Sequence, residues 1–170
     1  MSVIVLGSIN IDLVARVGRL PVPGETVRGH SFVTVPGGKG ANQAVACAKL
    51  GATTRVVGRV GGDVFGQVLL GSLRAAGVDI AEVLVDETTS SGVATIAVAD
   101  SAENNIIVVP GANGNLDHTD LDRLAALLPT AKLLLLQLEV PLPIVTAAAQ
   151  MARAAGVTVI LDPAPVTELS

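Results

Sequence analysis

The sequence predicts an α/β fold with a β-rich insertion near its start, and three observations carry that reading. Short apolar runs such as Val3–Leu6 and Leu133–Leu136 have the length and composition of strands buried on both faces of a parallel sheet. Ala- and Leu-rich stretches with helical spacing lie between them and stop at glycines such as Gly51 and Gly77. Two extended segments intervene before the first helix, so an excursion of extended chain leaves the α/β layer and returns to it. The 170 residues suffice for one domain with a real core, and a composition that is 50% hydrophobic and 15% charged excludes disorder.

Val3–Leu6 is the first strand, ended by Gly7, and Ile9–Val17 alternates as an extended segment. Pro21-Val22-Pro23-Gly24-Glu25 is a turn, after which Thr26–Val35 returns as a second extended segment. The helix Lys39–Leu50 stops at Gly51, and Thr53–Val60 is strand. Asp63 is placed to cap a helix running to Ala76, whose Val64, Val68, Leu69 and Leu73 share one face. Val83–Val85 reads as a short strand, and Gly92–Ala99 with Asn105–Val109 reads as a hairpin around the polar turn Asp100–Asn104. A helix over Thr119–Leu128 and a buried strand over Lys132–Leu138 follow. A helix over Pro141–Ala155, with proline in its first turn, leads to a last strand, Val157–Leu161.

The chemistry concentrates around Pro36-Gly37-Gly38-Lys39-Gly40-Ala41-Asn42-Gln43-Ala44. Glycines without a Cβ let backbone amides approach a polar ligand, and the next helix turns its free N–H groups and positive dipole end to the same place. Lys39 and Asn42 lie about one turn apart and can share that space. The plain alternative is a tight turn into a helix. A P-loop is excluded, because Val33 and Gly40 stand where it needs glycine and Ser or Thr. A dinucleotide fingerprint is excluded because Gly7-Ser8-Ile9-Asn10 lacks the spaced glycines. Asn10 and Asp12 fall on one face of their strand, either as an exposed polar face or as a pair gripping hydroxyl groups. Glu139 closes the strand Leu133-Leu134-Leu135-Leu136-Gln137-Leu138. It is either a solvated end-of-strand acid or a carboxylate facing the crevice where α/β sheets bind ligands.

Composition narrows the partners. A net charge of −4 without a basic cluster, and no Trp or Tyr, argue against nucleic acid. No apolar run reaches the length of a membrane span, and no basic region precedes the first apolar stretch, so neither membrane nor secretion is expected. The lone Cys47 suits a reducing compartment and reads as a small core residue. His30 and His118 have no partners at metal-ligand spacing.

Val5-Leu6-Gly7-Ser8-Ile9-Asn10-Ile11-Asp12, Pro23-Gly24-Glu25-Thr26, Gly37-Gly38-Lys39-Gly40-Ala41-Asn42-Gln43-Ala44 and Gln137-Leu138-Glu139 together resemble the ribokinase branch of the PfkB carbohydrate kinases. The resemblance implies a Rossmann-like three-layer α/β/α domain over residues 1–170, truncated after roughly its first half. A small β-sheet lid would come from strands near 9–17, 26–35, 92–99 and 105–109. It implies D-ribose as the sugar, bound by Asn10, Asp12, Gly37, Gly38, Lys39, Asn42 and Glu139, with Ala94 as an apolar wall. It further implies a cytoplasmic homodimer joined through the lid. ATP, Mg²⁺ and a monovalent cation (K⁺) are expected only for the complete enzyme. In this family the catalytic base and anion hole come from a second half with no counterpart in these residues. The 170-residue chain is therefore expected to be inactive alone, and to be sticky or partly molten with a sheet edge uncovered. A non-catalytic sugar-binding or dimerising fragment, and another sugar or nucleoside kinase of the family, are the competing readings.

Overall fold

A computed structural model describes residues 2–166. Its elements in chain order are β1 (Ser2–Leu6), β2 (Asn10–Val17), β3 (Gly29–Gly37), α1 (Lys39–Lys49), β4 (Thr53–Gly61), α2 (Val64–Ala75) and β5 (Asp79–Asp86). They continue with β6 (Gly92–Ala99), β7 (Asn104–Val109), α3 (His118–Leu127), β8 (Leu133–Leu136), α4 (Leu142–Ala154) and β9 (Thr158–Leu161). A 3-10 turn at Gly111–Asn115 joins β7 to α3.

The main sheet has the order β5-β4-β1-β8-β9 and is parallel throughout. Alternation along β1 divides the core between the two faces of this sheet. Val3 and Val5 pack with Ala41 and Ala44 of α1 and Leu69 and Leu73 of α2. Ile4 and Leu6 pack with Leu124 of α3 and Val145 and Ala148 of α4. Because both faces carry helices, every position from Val3 to Leu6 is buried and apolar, which is why that stretch reads as a continuous apolar run. The arrangement is the expected three-layer α/β/α. The edge strand β9 leaves Ile160 and Leu161 partly exposed. No helix among the described residues is long and apolar enough to cross a membrane.

A second sheet has the order β3-β2-β6-β7. β2 pairs antiparallel with β3 and parallel with β6, and β7 closes an antiparallel hairpin on β6. Asp12 stands directly between Val35 and Ala94 across this sheet. Ile11, on the opposite face, is fully buried in the core shared with α1 and α2.

Several element boundaries differ from the sequence reading. β5 covers Asp79–Asp86 instead of Val83–Val85, because pairing with β4 stabilises strand geometry at Asp79 and Glu82 that their propensities oppose. β3 starts at Gly29 and runs through Pro36 to Gly37, where it remains paired with Asn10. β8 spans only Leu133–Leu136; beyond it the Leu138 amide donates to Ala164 O, outside the ladder, and the chain bends. Pro141 is the N-cap of α4, not part of its first turn. α3 begins one residue earlier than expected, under a capping box made by Asp117 and Asp120.

Two polar clusters fix the layers. Arg59 of β4 lies 2.7 Å from the fully buried Asp120 Oδ2 and 2.9 Å from Asp117 Oδ1, pinning α3 to the sheet. Burial pulls the Arg59 guanidinium down, but hydrogen bonds and the charges of both acids outweigh it and raise its pKa. Asp63 joins α2 to the second sheet. Its Oδ1 accepts from the Gly66 amide (2.8 Å) and the Ser91 hydroxyl (2.7 Å), and its Oδ2 accepts from the Ser91 amide (2.8 Å). Burial raises the Asp63 pKa, but these donors outweigh it and the net shift is downward. The ionised form is thus the one that folding favours. Asp63→Ala should cost about 1–3 kcal/mol, read from urea unfolding, because it removes a cap and leaves the amide and hydroxyl donors of the buried Ser91 without their acceptor. The pH dependence has a definite sign. The Asp63 contribution is complete above its unfolded value of 3.8 and disappears as pH falls through its lower folded value. Comparison of acid unfolding between the Asp63→Asn variant and the unchanged protein reads that loss.

Candidate functional site

The site is built where α1 meets the junction of β1 and β2. Gly38 precedes the helix with φ of 89°, in the left-handed region, and a Cβ there would stand 2.7 Å from the Asn10 amide nitrogen. Gly40 approaches the same junction, where a Cβ would stand 2.7 Å from the carbonyl carbon of Gly7. The Ala41 amide donates to Ser8 O at 2.9 Å, so the first turn of α1 is fastened to the connection between the two sheets.

Glu139 reaches this helix end from the bend after β8. Its Oε2 accepts from the Ser8 hydroxyl at 2.6 Å and from the Lys39 amide at 3.2 Å, and its Oε1 lies 3.5 Å from Lys39 Nζ. A carboxylate at a helix N-terminus satisfies a free N–H and meets the positive end of the dipole. Glu139 sits beyond the last residue of β8 and does not close the strand as expected from the sequence; the bend is what carries it to α1.

A cavity of about 180 Å³ opens beside this junction. Its polar wall is formed by Asn10, Asp12, Gly38, Lys39, Asn42 and Glu139, and its apolar wall by Ala94, Ile96, Ile106 and Val108. That volume suits a small polar molecule better than a drug-sized ligand, which takes about 300–1,000 Å³. Asn10 is nearly buried, whereas Asn42 is exposed. Burial, and after it the charge of Glu139, pushes the Asp12 carboxyl above its ordinary value of 3.8.

Seven of the eight residues singled out from the sequence therefore line one space. Gly37 does not. It pairs with Asn10 and lies against the Asp12 carboxylate, where a Cβ would collide with it, so it leaves room for Asp12 without facing the cavity. Sequence reasoning missed Ser8 and Asn113. Ser8 is buried and orients Glu139. Asn113 is buried in the 3-10 turn and bonded to Ile9 and Asn10. Ser8 stands inside the Gly7–Asp12 stretch that drew attention, but Asn113 sits in a Gly/Asn-rich loop that reads as surface. The register of β7 against β6 brings in Ile106 and Val108, and no local pattern predicts that register.

Among the described residues no cluster of three or more His, Cys, Asp or Glu could hold a metal ion. The α1 N-terminus, where a phosphate would otherwise find amides, already gives its Lys39 N–H to Glu139.

Residues 1–169 match the family described as pfkB family carbohydrate kinase. The chain belongs to this family. Among curated relatives, it is 44% identical to a ribokinase of Schizosaccharomyces pombe, with all of the chain and 55% of the relative covered. A ribokinase of Haemophilus influenzae is 41% identical, with 98% of this chain and 54% of that protein covered. A deoxyribokinase of Salmonella typhimurium is 39% identical, with 97% and 54% covered. Among solved structures, Arabidopsis thaliana ribokinase complexed with ribose and ATP superposes with a TM-score of 0.84 at 35% identity, covering 95% of this chain and 53% of that one. This pfkB-family chain thus spans about half the length of the curated relatives it matches.

Proposed function

We propose that this chain is the sugar-binding part of a ribokinase, and that the cavity at the α1 N-terminus takes D-ribose. The observation that carries the reading is the convergence of two carboxylates, a lysine and two amides on one small cavity with an apolar wall opposite. Asp12 and Glu139 accept hydrogen bonds from sugar hydroxyls, while Lys39, Asn10 and Asn42 donate to sugar oxygens. Ala94, Ile96, Ile106 and Val108 cover the apolar side of the ring. The resemblance to ribokinases, including the Arabidopsis protein complexed with ribose and ATP, supports ribose as the sugar. For the whole protein the proposed reaction is ATP-dependent phosphorylation of D-ribose to D-ribose 5-phosphate in the cytoplasm, with Mg²⁺ and K⁺ as the ions. The residues described here hold and orient the sugar, and phosphoryl transfer is assigned to no group among them. The similarity to deoxyribokinases favours one second reading, in which 2-deoxyribose fills the same cavity.

The dimer expected from the resemblance is proposed through the second sheet. Val33 and Val35 lie on the same sheet face as Asp12, and Ile106 and Val108 continue that face across β7. All four are about half exposed. Pairing this face with a second copy buries apolar surface and closes the cavity from above. Sedimentation should show a dimer that the Val33→Lys variant breaks; a monomer at every concentration overturns this assignment.

Calorimetric titration with ribose, 2-deoxyribose, fructose and adenosine tests the ligand. Ribose should bind, and Asp12→Ala or Asn42→Ala should each weaken it by about 1–3 kcal/mol, the cost of leaving a polar partner unpaired. Unchanged affinity in both variants contradicts the pocket assignment. Adding ATP to the 170-residue chain and to the full gene product then separates binding from turnover. The pH dependence follows from Asp12. Ribose hydroxyls favour the ionised carboxylate, so binding lowers a pKa that burial and Glu139 have raised. Affinity is therefore complete above the raised value and falls as pH drops through it, beginning at higher pH than the ordinary 3.8 would give. Titrations from about pH 7 down to about pH 4 check this, and affinity that grows on acidification contradicts it.

A further inference from the structure

The buried Asn113 bonds both the backbone of Ile9 and the side-chain amide of Asn10. Asn113 Oδ1 accepts from the Ile9 amide at 2.9 Å, and its Nδ2 donates to Ile9 O at 3.2 Å. Both partners are backbone groups with fixed roles, so the oxygen and nitrogen of the Asn113 side chain cannot be exchanged. The second Nδ2 proton goes to Asn10 Oδ1 at 2.7 Å. The Asn10 carbonyl oxygen is thereby engaged inside the protein, and its NH₂ group remains for the cavity. Gly92 makes the bond possible, because a Cβ there would collide with both Asn10 Oδ1 and Asn113 Nδ2.

We propose that Asn113 is a positioning residue that locks Asn10 with its NH₂ group toward the sugar, so that Asn10 and Asp12 form a donor–acceptor pair. The polarity matters because a hydroxyl has one proton to give. With Asp12 accepting that proton, the same hydroxyl can still receive a hydrogen bond from Asn10 NH₂. A reversed Asn10 would present a second acceptor, and one of the two would stay unpaired. The 3-10 turn after β7 thus sets hydroxyl recognition without touching the ligand.

The proposal rests on the sugar-site reading above, and its test separates the two. Ribose affinity is measured by calorimetry for the unchanged protein, Asn113→Ala, Gly92→Ala, Asn10→Ala and the Asn10→Ala/Asn113→Ala pair. Asn113→Ala and Gly92→Ala should each weaken ribose about ten-fold, and Asn113→Ala should cause no further loss once Asn10 is alanine. No loss in the single variants, or an equal loss from Asn113→Ala in both backgrounds, would overturn the role, since a merely structural residue acts independently of Asn10. Should Asn113→Ala fail to fold, side-chain amide NMR of the unchanged protein, without sugar, decides the orientation. The expected spectrum has the Asn113 NH₂ bonded to the Asn10 side-chain carbonyl, and the reverse bond overturns the proposal. Failure of the unchanged protein to bind ribose defeats the sugar reading and the role together, whereas the sugar-free spectrum tests the amide orientation alone.

Discussion

The close approach of the first turn of α1 to the β1–β2 junction is the constraint on which the rest of the molecule depends. Two backbones meet there at a distance that no Cβ at Gly38 or Gly40 would allow. The contact is sealed by the Ala41 amide on Ser8 O and by Glu139, which bonds the Ser8 hydroxyl and the Lys39 amide together. Strand β2 can then leave the main sheet, continue into the second one, and still carry Asn10 and Asp12 past the helix end. The polar side of the cavity is the residue of that geometry. Its groups are near one another because the backbones are.

The same constraint holds several of the site's groups in place. Ser8, Asn10 and Asn113 are buried, and each bonds to another member of the site or to its backbone. Holding these groups in place before a ligand arrives reduces the ordering cost of binding. The apolar wall is organised differently. Ile106 and Val108 come from β7, every residue of which is exposed, and they belong to a sheet tied to the main layer through Asp63 and Ser91. The polar wall is therefore tied into the α1–β1–β2 junction, whereas the outer part of the apolar wall stands on the exposed edge strand of a sheet that also meets the core through Ile11.

Much of this was legible in the residues themselves. The uninterrupted apolar run of β1 required burial on both faces, and the glycines around Lys39 required a close backbone approach. Asn10 and Asp12 at a spacing of two required a common side. What stayed hidden was long-range. β2 and β6 are parallel neighbours separated in the chain by three strands and two helices, and nothing local specifies that pairing. The extent of β5 was hidden for a similar reason, since its N-terminal half is held by β4 against its own propensities.

By itself, then, the sequence determined the layer architecture, because periodicity and glycine placement act over a few residues. It also determined the chemical character of the cavity, because those side chains are unusual where they stand. Only the tertiary structure decided that Gly37 serves Asp12 from behind, that Glu139 answers to Ser8, and that Asn113 turns the amide of Asn10. Each of these is a contact between segments far apart in the chain, and its geometry exists only once the two sheets and α1 have closed on one another.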